Sequence, residues 1–138
     1  MKAIAFVASV FLTAVPLSLP VLAGNEDPLF INLTTDQAHR STMAIGFSQA
    51  QLERGHPLTI FLNDQGILLA SKAKADQYQE QQATLRAIMK KGGLVIACPA
   101  CMKKYGISES DLLEGIKVGN PALTGEALFQ DDTKTLSW

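Results

Sequence analysis

Cys98 and Cys101 are the only two thiols of the 138-residue chain, and they stand three positions apart in the stretch GGLVIACPACMKKYG, residues 92–106. Thiols so spaced carry out redox or sulfur chemistry, hold a soft metal ion, or close a small disulfide. Pro99 follows Cys98 directly and is preorganised for the first turn of a helix. A helix starting there would face the Cys98 sulfur with unpaired amide N–H groups and the positive end of the helix dipole, both of which favour thiolate. Cys101, one turn on, would share its face and lie within disulfide reach. Lys103 and Lys104 add positive charge nearby.

The competing uses of such a pair are unequal. A purely structural disulfide across so short a loop removes little chain entropy compared with the ~3 kcal/mol of a 15-residue loop. A structural zinc ion asks for four ligands, and the two histidines fall elsewhere, His39 on the first expected helix and His56 just before the second strand. Each reads as a surface histidine, and no cofactor is expected. Cu(I) held by Cys98 and Cys101, with Met102 as a soft third ligand, is the metal-binding alternative.

The elements around the cysteines read as strands alternating with helices. LFINLT (29–34) is the first strand, followed by a helix with Asp36 as its cap, an apolar stripe drawn from Ala38, Met43, Ile45, Phe47, Ala50 and Leu52, and Gly55 at its end. PLTIFL (57–62) is nearly all apolar, as a strand buried on both faces should be. A short apolar helical piece at 66–70 precedes a longer helix near 77–91, with Tyr78, Leu85, Ile88 and Met89 inward. LVIAC (94–98) is the third strand. Ser108 and Asp111 form a capping-box pair, IKVG (116–119) is a fourth strand, Asn120 and Pro121 open a further helix, and KTLSW closes the sheet at an edge with Trp138 as a packing aromatic. The expected fold is a three-layer α/β/α sandwich of flavodoxin-like type, with a mostly parallel sheet of about five strands. Such sheets present reactive groups beyond the carboxyl ends of their strands. The loops there are Thr34–Thr35–Asp36, Asn63–Asp64 and Cys98–Cys101, which makes Thr34, Asp36, Asp64 and Lys103 candidate supporting residues. Asp36 and Asp64 each have a structural use as well, the first as a helix cap and the second in a turn with Gly66.

The N-terminus sets the redox compartment. Met1 and Lys2 form a minimal positive start, Ala3–Val15 is apolar, and Pro16 and Pro20 precede a cleavage pattern with Val21 and Ala23 before Gly24. The prolines break the run short of the ~20 apolar residues that a membrane span needs. Residues 1–23 are therefore expected to be a signal peptide and residues 24–138 one α/β domain, exported to the periplasm, where a close thiol pair can oxidise. Without Lys2 the 12 basic residues become 11 against 13 acidic ones, a net charge of −2, and no basic stripe points to nucleic acid.

This arrangement resembles the DsrE/DsrF-like (YchN-like) sulfur-relay family across the mature chain, through LFINLTTD, LTIFLNDQGILLA, GGLVIACPACMKKYGISESDLLEG and NPALTGEALF. The most specific piece is a cysteine ending the third strand, followed eight residues later by glycine and an aliphatic, here Cys98, Gly106 and Ile107. The resemblance implies that Cys98 accepts sulfane sulfur as a persulfide and passes it on. It also implies a sulfur-donor or acceptor protein, or low-molecular-weight sulfane sulfur, as partner, and a homo-oligomer, trimer or hexamer. The leader and the second cysteine depart from the cytoplasmic one-cysteine members, which argues against a tRNA-linked role. Cys101 could attack a persulfide on Cys98 as a resolving thiol, releasing sulfide and leaving a disulfide. A thiol–disulfide exchanger and a non-catalytic subunit with a structural disulfide are the remaining alternatives.

Overall fold

The computed structural model describes residues 26–138, so the expected signal peptide lies outside the described residues. The strands are β1 (Leu29–Leu33), β2 (Leu58–Leu62), β3 (Leu94–Ala97), β4 (Lys117–Val118) and β5 (Lys134–Ser137). The helices are α1 (Ala38–Glu53), α2 (Gln79–Lys90), α3 (Pro99–Tyr105) and α4 (Pro121–Leu128). Short 3-10 segments run over Asp64–Ala70, Lys72–Lys74 and Glu109–Asp111. Among the described residues, no helix is long and apolar enough to cross a membrane.

All five strands lie in one sheet of order β4-β3-β2-β1-β5, and every strand pairing in it is parallel. Parallel neighbours need crossover connections, and right-handed crossovers moving in one direction from β1 to β4 put their helices on one face. Alternate strand residues on that face, Leu29, Ile31, Leu33, Leu58, Ile60, Leu62, Val95 and Ala97, join Ala44 and Ile45 of α1 and Leu85 and Ile88 of α2 in a single core. The connection from β4 back to β5 runs the other way and places α4 over the opposite face. There, α4 residues Leu123, Glu126 and Ala127 share a cleft with Thr59 and Leu94, while Pro121 and Thr124 flank Phe61. The result is the expected three-layer α/β/α sandwich of flavodoxin-like type.

Two expectations for α1 need correction. Asp36 does not cap it: the helix follows Gln37 with no side-chain cap, and the Asp36 carboxylate instead accepts a hydrogen bond from the buried Tyr78 hydroxyl. The inward stripe is also different. Ser41, Ala44, Ile45 and Ser48 are buried, whereas Met43 is 54% and Phe47 40% exposed. The serines can face the core because each hydroxyl donates back to its own helix, Ser41 to Gln37 O at 3.0 Å and Ser48 to Ala44 O at 2.7 Å. Small side chains let α1 approach closely, and Phe47 turns outward against Trp138, with ring centroids 5.9 Å apart. The expected caps at Ser108–Asp111 and Asn120 are present, Asn120 accepting from Leu123 N at 2.9 Å.

Gly66 holds the segment after β2 against the end of β1. A Cβ there would collide with the Leu33 carbonyl, so the backbone would have to move. Gly66→Ala should lower stability by about 1–3 kcal/mol, the usual cost of overpacking. A urea midpoint unchanged from the parent would contradict that close approach.

Candidate functional site

Cys98 stands at the junction of β3 and α3. Its N–H still belongs to the sheet, donating to Leu62 O at 3.0 Å, while its carbonyl already accepts from Met102 N at 2.9 Å. Its backbone is extended, Pro99 occupies the first helical position, and its sulfur accepts from Cys101 N at 3.4 Å. The side chain thus occupies the place of an N-cap acceptor. Both thiols are free and half-buried, and their sulfurs are 2.8 Å apart.

The other end of α3 explains the glycine eight residues after Cys98. Gly106 adopts φ 66°, a left-handed conformation that costs an L-residue strain, and Ile107 N reaches back to Met102 O at 2.9 Å. Ile107 then packs on the core. Cysteine, glycine and aliphatic therefore delimit one short helix.

The loop after β2 supplies the rest of the site. Cys101 Sγ lies 3.1 Å from Asn63 Oδ1, to which it can donate, and accepts from Asp64 N at 3.1 Å. Asn63 Oδ1 also accepts from Asp64 N at 2.9 Å. Asp64 has φ 42°, unusual for a residue other than glycine. Its carboxylate accepts from the Tyr105 hydroxyl at 3.0 Å and from Lys104 Nζ at 3.4 Å. Those two donors hold the Asp64 carboxyl below its ordinary range, and the carboxylate in turn raises Lys104. Burial pushes the Cys101 thiol up, helped by its hydrogen bond to Cys98, while the Asp64 amide opposes the rise. Lys104 also lies 5.2 Å above the Tyr105 ring.

Of the expected supporting residues, the structure brings only Asp64 to the cysteines, and chiefly through its backbone N–H. Thr34 lies at the end of β1, where its N–H and hydroxyl both bond to Trp138 O. Asp36 is engaged with Tyr78. Lys103 is solvent-exposed, and it is Lys104 that reaches Asp64. Met102 is buried in the core, turned away from service as a third soft ligand. His56 bonds to Asp27 O at 2.9 Å before β2, at the other end of the strands, and His39 is exposed. Among the described residues, no group of three or more His, Cys, Asp or Glu is placed to hold a metal ion. Sequence reasoning missed the Asn63 side chain and Tyr105; the Asn63–Asp64 loop was visible, but not which of its atoms would face sulfur.

The sequence profile of the DsrE/DsrF-like family matches residues 29–133, spanning α1 to α4 and strands β1 to β4. The chain belongs to this family. Among its relatives are an uncharacterised protein of Methanopyrus kandleri, 31% identical over 80 residues that make up 57% of this chain and 66% of that protein. Another, from Methanocaldococcus jannaschii, is 30% identical over 80 residues, 57% of this chain and 70% of that one. The DsrE-like fold is shared with a protein of unknown function from Methanobacterium thermoautotrophicum (TM-score 0.68, 13% identity, 82% of this chain and 100% of that one). It is shared too with the ychN protein of E. coli (TM-score 0.65, 14% identity, 82% and 99% coverage). In this DsrE/DsrF-like protein, β3 carries its cysteine to the rim of the sheet and the Asn63–Asp64 loop meets the second thiol there.

Burial acts on Cys101 independently of Cys98. In a Cys98→Ser protein, iodoacetamide alkylation of Cys101 should reach half its maximal rate above the ~8.5 of a free thiol, because the burial remains after the neighbouring sulfur is gone. A midpoint at or below that pH would show that burial does not hold the Cys101 thiol up.

Proposed function

We propose that this chain is an exported sulfur-relay or thiol-redox protein in which Cys98 accepts sulfane sulfur and Cys101 resolves it. The observation that carries this reading is the pair of free thiols, 2.8 Å apart, at the end of a central strand. A disulfide spans ~2.05 Å, so a modest side-chain rotation closes the bond. Membership in the DsrE/DsrF-like family supports the same chemistry.

The cycle balances as follows. The Cys98 thiolate attacks the outer sulfur of a persulfide RS–SH, giving Cys98–S–SH and RS⁻. The Cys101 thiolate then attacks Cys98 Sγ, forming the Cys98–Cys101 disulfide and expelling HS⁻. Sulfane sulfur is reduced to sulfide, the two thiols are oxidised, and an external dithiol restores them. Where an acceptor arrives first, the outer sulfur passes to it and Cys101 is not used. Asp64 supports Cys101 in this reading, and the exposed Lys103 offers charge to a partner. Exposed Met43, Phe47, Phe129 and Leu136 support assembly into a homo-oligomer. A Cu(I)-binding role would rest on the two thiols alone, since Met102 is buried in the core.

Incubation of the reduced protein with glutathione persulfide should add about 32 Da, one sulfur atom, in the intact mass. Cys98→Ser should abolish the adduct, and Cys101→Ser should prolong it while suppressing sulfide release. An adduct that survives Cys98→Ser would transfer the acceptor role elsewhere. Export has its own check: expressed in a Gram-negative host, the protein should appear in the periplasmic fraction with Gly24 at its N-terminus. Recovery in the cytoplasm with residues 1–23 intact would overturn the compartment and, with it, the oxidising setting.

A further inference from the structure

Beside Cys98 lies a small cleft that the sulfur-transfer cycle leaves unused. It is lined by Phe61, Pro99, Gly119, Asn120, Pro121 and Thr124 and has a volume of about 180 Å³. We propose that it is the donor subsite of Cys98, taking the short, uncharged, apolar substituent of a low-molecular-weight sulfur donor, R–S–SH or R–S–S–R. This deepens the proposed function and rests on its assignment of Cys98 as the nucleophile.

A peptide bond and a hydrogen bond tie the cleft to that nucleophile. Pro99 is joined to Cys98 directly, and Gly119 N–H donates to the carbonyl of the preceding residue, Ala97 O, at 2.8 Å. The sheet face is the matching one as well. Side chains alternate along a strand, and the extended backbone of Cys98 continues that alternation past Ala97, toward the face of Ile96 and Phe61. Ala97 itself belongs to the core under α1 and α2, whereas Pro121 and Thr124 of α4 border the cleft on the opposite face. Cys101 packs against the α1 and α2 core and so meets Cys98 from the side away from the cleft. Exchange at divalent sulfur runs in line, with attacking, attacked and leaving sulfurs close to collinear. A sulfur carried on Cys98 and expelled by Cys101 therefore departs on the α4 side, which sets its substituent toward the cleft.

The lining decides the chemical class. None of its residues carries a charge, and the amide oxygen of Asn120 is already committed to capping α4 through Leu123 N at 2.9 Å. A carboxylate or ammonium group entering there would lose its hydration without gaining a partner. An alkyl group instead gains by leaving water for the Phe61 ring and the two prolines. At about 180 Å³ the cleft is smaller than the ~300–1,000 Å³ that encloses a drug-sized ligand, so it suits a chain of a few carbons and not a peptide.

The test uses symmetrical disulfides, so that R is borne on both the transferred and the leaving sulfur and persulfide chemistry is not needed. In a Cys101→Ser protein the Cys98 thiolate attacks one sulfur of R–S–S–R; Cys98 Sγ–S–R forms, and RS⁻ leaves with the electron pair of the broken S–S bond. Rates are read by intact mass for methyl, propyl and 2-carboxyethyl disulfides, each divided by the rate of free 2-mercaptoethanol with the same disulfide. Propyl should exceed methyl about tenfold, the rate equivalent of two buried methylenes. The 2-carboxyethyl group, close to propyl in size, should fall to the methyl rate or below it. Thr124→Leu, on the half-buried side of α4, fills the cleft and should bring the propyl preference back to that of the free thiol. Equal relative rates for methyl and propyl would overturn the proposal, as would a propyl preference intact in a folded Thr124→Leu protein. A faster 2-carboxyethyl disulfide, the order expected if Lys103 and Lys104 steered the donor, would overturn it too. Failure of Cys98 to react with any of the three would overturn it together with the nucleophile assignment. A propyl preference in a protein that takes up no sulfur from propyl persulfide would instead remove the sulfur-carrying reading and leave this subsite standing.

Discussion

The site exists because β2 and β3 pair in parallel with Leu62 opposite Ala97, and the Cys98 N–H extends that ladder to Leu62 O. Parallel neighbours end at the same edge, ~4.8 Å apart, so whatever follows each strand emerges beside its counterpart. Asn63 and Asp64 follow one; Cys98 to Cys101 follow the other. The strands are buried through Ile60, Leu62, Val95, Ile96 and Ala97, which leaves their register little freedom to slip. Gly66 then folds the chain after β2 tightly onto the end of β1, so the loop that meets Cys101 is held from two sides.

Within this frame the two sulfurs are not equivalent. Cys98 accepts from the Cys101 amide and thiol, whereas Cys101 donates to one side and accepts from the Asp64 amide on the other. Burial penalises charge on Cys101 and the amide compensates part of that penalty. The neighbouring strand end is closed differently. Thr34 and Trp138 tie β1 to the end of β5, and Tyr78 occupies Asp36, so of the three loops at this edge only two contribute to the cysteine pair. The strand order reverses between β1 and β5, a common ligand position in such sheets, and there Thr34 bonds to Trp138 O.

Most of the fold was legible because its signals are local. Apolar runs at 29–33, 58–62 and 94–97 could only be buried strands; Pro99 and Pro121 marked helix starts, and Gly106 marked a helix end. The face of α1 was not legible. Hydropathy favours Met43 and Phe47 for the core, yet Ser41 and Ser48 lie there because intrahelical bonds satisfy their hydroxyls and their size permits close packing. Asp36 misled for a related reason: its cap propensity is real, but a tyrosine hydroxyl 42 residues away in sequence claimed the carboxylate.

For the site the division is the same. Residue chemistry and spacing placed two thiols one helical turn apart behind a strand, since a turn of helix is a short-range object that backbone geometry dictates. Which groups surround the sulfurs followed from packing: Asn63 and Asp64 meet Cys101 across separations of 38 and 37 residues, and Lys104 rather than Lys103 reaches Asp64. Contacts at that range depend on strand register and loop closure, which the chain settles collectively and no single stretch of residues encodes.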